Sequence, residues 1–114
     1  MHLEVTDRED GISQVALVGK LDVGGLHDVE SEFLLITATL QRPTIVDLSD
    51  LEYIASLGMG LLITCAQTLQ RGGKPMVLVG AHGDVEAALR TAGIDHAIPM
   101  VAGIDEALAA IGAG

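Results

Sequence analysis

The stretch Tyr53-Ile54-Ala55-Ser56-Leu57-Gly58-Met59-Gly60 sets one serine between a strand-like run and a helix-like run, with two glycines just behind it. A hydroxyl in that position has four chemical uses: hydrolytic nucleophile, carrier attachment point, phosphate acceptor, or N-cap of the helix that follows. As an N-cap, its Oγ would satisfy one of the orphan amides of the first turn, and serine is among the residues preferred there. Gly58 and Gly60 bear on the choice. Each costs about 1 kcal/mol relative to alanine in a helix interior. Their missing side chains leave room for a partner's active site, or a phosphate, to approach Ser56.

The nucleophile reading requires Gly-x-Ser-x-Gly after a strand, with an acid and a histidine further on. Here Ile54 replaces the first glycine, and His82 has no acid evidently placed to orient it, so it reads first as a solvated loop histidine. Small acidic carriers are helical proteins, whereas "VALVGKL", "TIVDLS" and "PMVLVG" read as strands. A phospho-receiver needs an acidic pair after its first strand; Asp47 stands alone and reads as the polar end of a buried strand. A phosphoserine, by contrast, needs no catalytic residue in its own chain. The phosphate adds about −1.5 to −2 charges, and a helix N-terminus offers free amides and a favourable dipole. The fold would barely move, and a protein docking on that surface would feel the change.

Other chemistries find no support. Gly73-Lys74 is followed by Pro75 and lacks the upstream glycine of a phosphate loop. "GMGLLI" lacks the last glycine of a dinucleotide fingerprint. His2, His27, His82 and His96 have no paired ligand spacing, so neither a metal nor a cofactor is expected. Cys65 is the single cysteine and cannot form an internal disulfide. The formal charge of −10, from 16 acidic and 6 basic side chains, argues against a phosphate backbone as ligand. Aromatics at 2%, with no Trp, remove the stacking platforms of single-strand binders. That charge would steer a partner with a basic face, a protein rather than DNA. "MHLEVTDRED" is too polar for a secretory signal, and no apolar run approaches the roughly 18 residues of a membrane span. The expected setting is cytoplasmic, without membrane insertion.

The elements that must position Ser56 are legible from periodicity. The 114 residues make one domain, and 49% apolar with 19% charged is a globular composition. "LEV" and "ISQVALVGKL", separated by "TDREDG", alternate as a hairpin. Leu26, Val29, Phe33, Ile36 and Leu40 recur at spacings of three and four and predict a core-facing helix ended by Arg42-Pro43. "TIVDLS" is a buried strand. A second helix is predicted from Ser56, as its cap, to Gly72-Gly73, with Leu57, Leu61, Leu62, Cys65, Ala66 and Leu69 inward. "PMVLVG" is a further strand. A third helix follows with Asp84 as N-cap and Gly93 just past its end, then "AIPM" as a weak edge strand. A last helix carries Ile104, Leu108 and Ile111 inward and closes at Gly112. The order ββαβαβαβα implies an α/β fold, a mixed, mostly parallel sheet of about five strands flanked by about four helices. In such sheets function gathers beyond the carboxyl ends of the strands. That edge is Asp22 to Gly25, Asp47 to Ser56 and Gly80 to Asp84.

"VGKLDV" (Val18 to Val23), "VDLSDLEYIASLGMGLL" (Val46 to Leu62) and "AGIDHAIPMVAGIDEAL" (Ala92 to Leu108) together resemble the STAS domain family, as typified by anti-sigma-factor antagonists. The resemblance covers essentially the whole chain, and the central piece is the most specific. It implies that Ser56 is phosphorylated by a partner that is both an anti-sigma factor and a serine kinase of GHKL-type ATPase fold. The unphosphorylated protein would bind that partner and free the sigma factor, and a phosphatase acting on phospho-Ser56 would reset it. It further implies that Asp22 and Ser49 lie on or beside the docking surface, with Ala55, Leu57, Gly58 and Met59 in it. A homodimer is left open. Many phosphorylated members carry aspartate just before the serine; here Ala55 stands, and Leu57 replaces the small hydroxyl residue often found next. The chain therefore reads as a non-enzymatic switch. The alternatives are an unphosphorylated subunit of a stress-signalling scaffold or lipid-transport ATPase and, further off, a small serine hydrolase.

Overall fold

In a computed structural model, which describes residues 1–112, β1 (His2–Thr6) and β2 (Ser13–Leu21) form the antiparallel hairpin that the alternating runs predict. β2 is the organising strand. Its first half, Ser13 to Ala16, pairs in parallel with β3 (Thr44–Asp47). Its second half, from Gly19 to Leu21, pairs in parallel with β4 (Leu51–Ile54), with a register shift between Gly19 and Lys20. β3 pairs in turn with β5 (Met76–Val79), and β5 with the two-residue β6 (Met100–Val101). The sheet order is β1-β2-β3-β5-β6, with β4 beside the upper half of β2.

Among the described residues five α-helices close the sheet: α1 (Val23–Leu34), α2 (Ser56–Arg71), α3 (Gly83–Thr91), α4 (Ile94–Ala97) and α5 (Ile104–Gly112). Strand alternation divides the core in two. Val15, Leu17, Val46 and Leu78 point to the face covered by Val29 and Phe33 of α1, Leu62, Cys65 and Leu69 of α2, and Leu89 of α3. Ile45, Val77 and Val79 point the other way, onto Ala107 of α5. β3 and β5 are thus buried on both faces, which is why their sequences are continuous apolar runs.

The α/β architecture and the mostly parallel sheet agree with the expectation; several boundaries differ. "LEYI", taken as loop, is β4, and "GIDHAIPM" holds the short α4 before a strand displaced to Met100. The periodic helix continues past α1 as one wide turn, Leu35–Thr39, in which the Leu40 amide donates to the Leu35 carbonyl at 3.2 Å. That turn changes the phase, so Ile36 is buried while Leu40 is 45% exposed instead of inward. Asp84 is not a cap. His82 holds the N-cap position of α3, and Asp84 lies in its first turn, where a carboxylate suits the dipole. The Gly72-Gly73 stop is as expected: Gly73 has φ +77, and the amides of Gly73 and Lys74 donate to the carbonyls of Gln70 and Leu69 at 2.9 Å each. This is the paired closure that favours glycine in the left-handed position.

Candidate functional site

Two helices begin side by side at the carboxyl ends of β2 and β4. Leu21 and Ile54 are partners in the parallel ladder, and the Ala55 amide donates to the Leu21 carbonyl at 2.9 Å. That bond sets Asp22, at the start of α1, next to Ala55 and Ser56, at the start of α2. The two starts are capped differently. The Asp22 Oδ1 accepts from the Gly25 amide at 2.8 Å, a full side-chain cap. α2 has Ala55 at its N-cap position, with no side-chain hydrogen bond. Ser56 is therefore not the cap that its type predicts. It is the first helical residue, exposed, its hydroxyl in no hydrogen bond among the described residues.

The surroundings of Ser56 mix apolar and acidic groups. Leu57 is not inward but 59% exposed, and Val23, the first residue of α1, is 65% exposed. Tyr53, on β4 beside Lys20, is 50% exposed. Met59 is half-buried and packs on the edge of the core. Gly58 is buried, for a reason unrelated to access. A Cβ there would stand 2.7 Å from Leu21 Cγ and 3.2 Å from Ile54 Cγ1, so the first turn of α2 rests directly on the two strand ends. Gly60 faces open space. Of the two glycines, only Gly60 leaves room above the helix.

A second set of contacts holds the neighbouring loops. Asp47 Oδ1 accepts from the Ser49 amide at 2.9 Å and from the Ser49 Oγ at 2.6 Å. The His82 Nε2–H donates to the Ser49 carbonyl at 2.8 Å. Gly80, at φ +75, approaches so closely that any Cβ would strike the Ser49 hydroxyl. These contacts tie the turn between β3 and β4 to the loop between β5 and α3. They also commit the groups that a hydrolase would use: among the described residues neither Asp47 nor His82 bonds to Ser56, and no acid orients His82. An open groove of ≈ 540 Å³ runs between these loops, with Asp50, Glu52 and Asp84 on its walls. A shallower depression beside it is edged by Lys20, Asp22, Asp28 and Glu52. Among the described residues no His, Cys, Asp or Glu cluster could hold a metal ion. Cys65 is buried within the main core, and burial pushes its thiol pKa up.

The structure thus brings Asp22, Ala55, Ser56 and Leu57 onto one exposed edge, with Met59 at its margin. Gly58 lies beneath it, and Ser49 lies in the adjoining turn. Sequence reading missed Val23 and Tyr53. The signal for Val23 was its place one residue after a capping aspartate, where a first-turn side chain faces away from the core.

The STAS domain family model matches residues 5–107, and the chain belongs to that family. Solved structures share the fold across nearly its whole length. A Thermotoga maritima protein described as an anti-sigma factor antagonist superposes with a TM-score of 0.86 at 18% identity, covering 96% of this chain and 93% of that one. An anti-sigma factor antagonist from Mycobacterium paratuberculosis gives 0.82 at 24% identity, covering 96% and 94%. The Bacillus cell-fate determinant SpoIIAA, in its phosphorylated form, gives 0.69 at 13% identity, covering 96% and 99%. Comparison with curated proteins finds no significant match. No helix among the described residues is long and apolar enough to cross a membrane.

Proposed function

We propose that this chain is a non-enzymatic anti-sigma-factor antagonist whose binding is switched by phosphorylation at Ser56. The observation that carries the reading is the state of Ser56: exposed, unengaged, and first in a helix whose N-terminus has no side-chain cap. An incoming kinase meets no competing hydrogen bond at that hydroxyl, and the phosphate formed would lie against free first-turn amides. The unphosphorylated protein presents Val23, Leu57 and Met59 as an apolar centre, with Asp22 beside it. A partner packed on that centre would have to take up a doubly charged phosphate in a desolvated interface next to a carboxylate. That costs several kcal/mol and is enough to release it. The partner expected is an anti-sigma factor with a GHKL-type serine-kinase fold, and a phosphatase would return Ser56 to its hydroxyl. Two relatives of this fold are described as anti-sigma factor antagonists, and a third is known in phosphorylated form, which supports the reading.

Ala55 favours a second reading. With no aspartate before the serine, a constitutive binding subunit in a larger signalling assembly has the same surface without the switch. One experiment separates the two. The chain and its Ser56→Ala and Ser56→Asp variants are titrated against the anti-sigma factor of the same genome, and phosphate on the native protein is mapped by fragmentation mass spectrometry. The switch requires binding by the wild type and Ser56→Ala, at least about 100-fold weaker binding by Ser56→Asp, and phosphate on Ser56. Equal binding by all three, with no phosphate, would leave the constitutive subunit.

A further inference from the structure

We propose that the free edge of β1, with the helical surface beside it, forms a two-fold interface between two copies of this chain. β1 pairs with β2 over five consecutive residues without a bulge, and its other side pairs with nothing among the described residues. An open row of backbone N–H and C=O groups is a template for a further strand, and sheets ordinarily guard it with lysine, proline, bulges or a very short edge. The far edge follows that rule, since β6 has only two residues. β1 does not. "HLEVT" has no lysine, proline or bulge; Glu4 is its one guarding charge, and Val5 beside it is 57% exposed.

The helical surface beside it is equally bare. The wide turn after α1 places Leu35 and Leu40 one turn apart, 54% and 45% exposed, while Ile36 and Thr37 take the inward positions. Val5, Ile12, Ile36 and Leu40 line one groove of ≈ 240 Å³, so strand edge and helix stripe are a single surface. Of the six exposed large apolar side chains among the described residues, Val5 and Leu40 lie on this groove and Leu35 lies one helical turn from Leu40. The others, Val23, Tyr53 and Leu57, flank Ser56 at the opposite end of β2.

Charge selects the occupant. A two-fold contact requires a patch complementary to itself. Arg42 and Asp7 both line the groove, both are exposed, and neither belongs to any ion pair among the described residues. Across a diad each copy's Arg42 can meet the other's Asp7, giving two equivalent pairs around the apolar centre. With a net charge of −10 two copies would repel over much of their surfaces; here Arg42 relieves it, while Arg8 is held by Asp10. Antiparallel pairing of the two β1 strands would continue the sheet and bring Leu35 and Leu40 of each copy together. A lone extended peptide would satisfy the strand and leave those leucines wet. Val5 pairs with Val15 in the lower half of β2, away from Leu21 and Ser56, so both phosphorylatable edges stay open in the dimer.

Sedimentation of the full chain from about 1 μM to about 1 mM tests the interface, together with four variants at these exposed positions. They are Val5→Glu, Leu40→Glu, Arg42→Asp and the exchange Asp7→Arg/Arg42→Asp, each checked for native circular dichroism. The expected result is a mass that doubles within that range. Val5→Glu and Leu40→Glu abolish the doubling, Arg42→Asp weakens it about tenfold or more, and the exchange restores it. A chain monomeric throughout overturns the proposal, as does a dimer indifferent to Val5→Glu and Leu40→Glu. An exchange variant as monomeric as Arg42→Asp overturns the pairing that selected a second copy.

Discussion

Ser56 owes its availability to its neighbour. Serine in the cap position would have its Oγ turned back onto the first-turn amides; one residue later it is inside the helix and its hydroxyl looks out. Ala55 occupies the cap position and cannot use it, so α2 starts with its amides unsatisfied by any side chain. Asp22 shows the opposite economy at the end of the neighbouring strand, its carboxylate engaged by the Gly25 amide. The difference is measurable. Asp22→Ala removes a working cap and should cost about 1 kcal/mol in chemical unfolding. Ser56→Ala removes a hydroxyl that bonds to none of the described residues and should stay within about 0.5 kcal/mol. Ala55→Asp supplies the missing cap and a favourable dipole interaction, and should gain about 1 kcal/mol. If Ser56→Ala costs as much as Asp22→Ala, Ser56 is a capping residue in solution and its hydroxyl is not free for a kinase.

The seat of α2 is decided by how the helix meets the strand ends. Its first turn rests on Leu21 and Ile54 with no room for a side chain at Gly58. Gly58→Ala gains helix propensity but forces a methyl against two buried side chains; overpacking of this kind costs about 1–3 kcal/mol and outweighs a gain of at most about 1 kcal/mol. Gly60→Ala meets open space and keeps the gain. The two variants should therefore shift the melting temperature in opposite directions, by roughly 4–8 °C per kcal/mol for a domain of this size. Loss of partner binding should accompany Gly58→Ala, because Ser56 and Leu57 ride on the displaced turn. Much of this was legible from the chain. The strand–loop–helix order, Asp22 at a helix start and Ser56 beyond the carboxyl end of a strand all follow from period and residue type. The rest was illegible for physical reasons. "LEYI" buries only its ends, Leu51 and Ile54, so it has no period of two to read. The wide turn at Leu35–Thr39 alters the phase of a helix whose apolar spacing looks regular. Serine's strong capping preference pointed one residue too late. Gly58 looked like an opening for a ligand, when its lack of a side chain is needed beneath the helix.

At the scale of the whole molecule, charge is unevenly used. Sixteen acidic side chains stand against six basic ones, and the walls of the groove beside Ser56 carry Asp50, Glu52 and Asp84. Of the six basic side chains, Arg42, Arg71 and Lys74 lie where helices end and β3 and β5 begin, the far end from Ser56, while Lys20 stands near it. The Ser56 edge thus carries five carboxylates, Asp22, Asp28, Asp50, Glu52 and Asp84, against Lys20, and a basic-faced partner would reach it down a field. Such steering raises association rates by factors of about 10–10³, and it is screened as the Debye length falls from about 30 Å at 0.01 M salt to about 8 Å at 0.15 M. Binding of the proposed basic-faced partner, followed by stopped-flow, should slow at least about tenfold between those salt concentrations, while the dissociation rate changes little. The apolar centre formed by Val23 and Leu57 predicts the complementary result. Val23→Ser or Leu57→Ser should raise the dissociation rate and leave the salt dependence of association intact, because buried contacts act after encounter and long-range charge acts before it. An association rate insensitive to salt would mean that long-range charge does not bring the partner to the Ser56 edge.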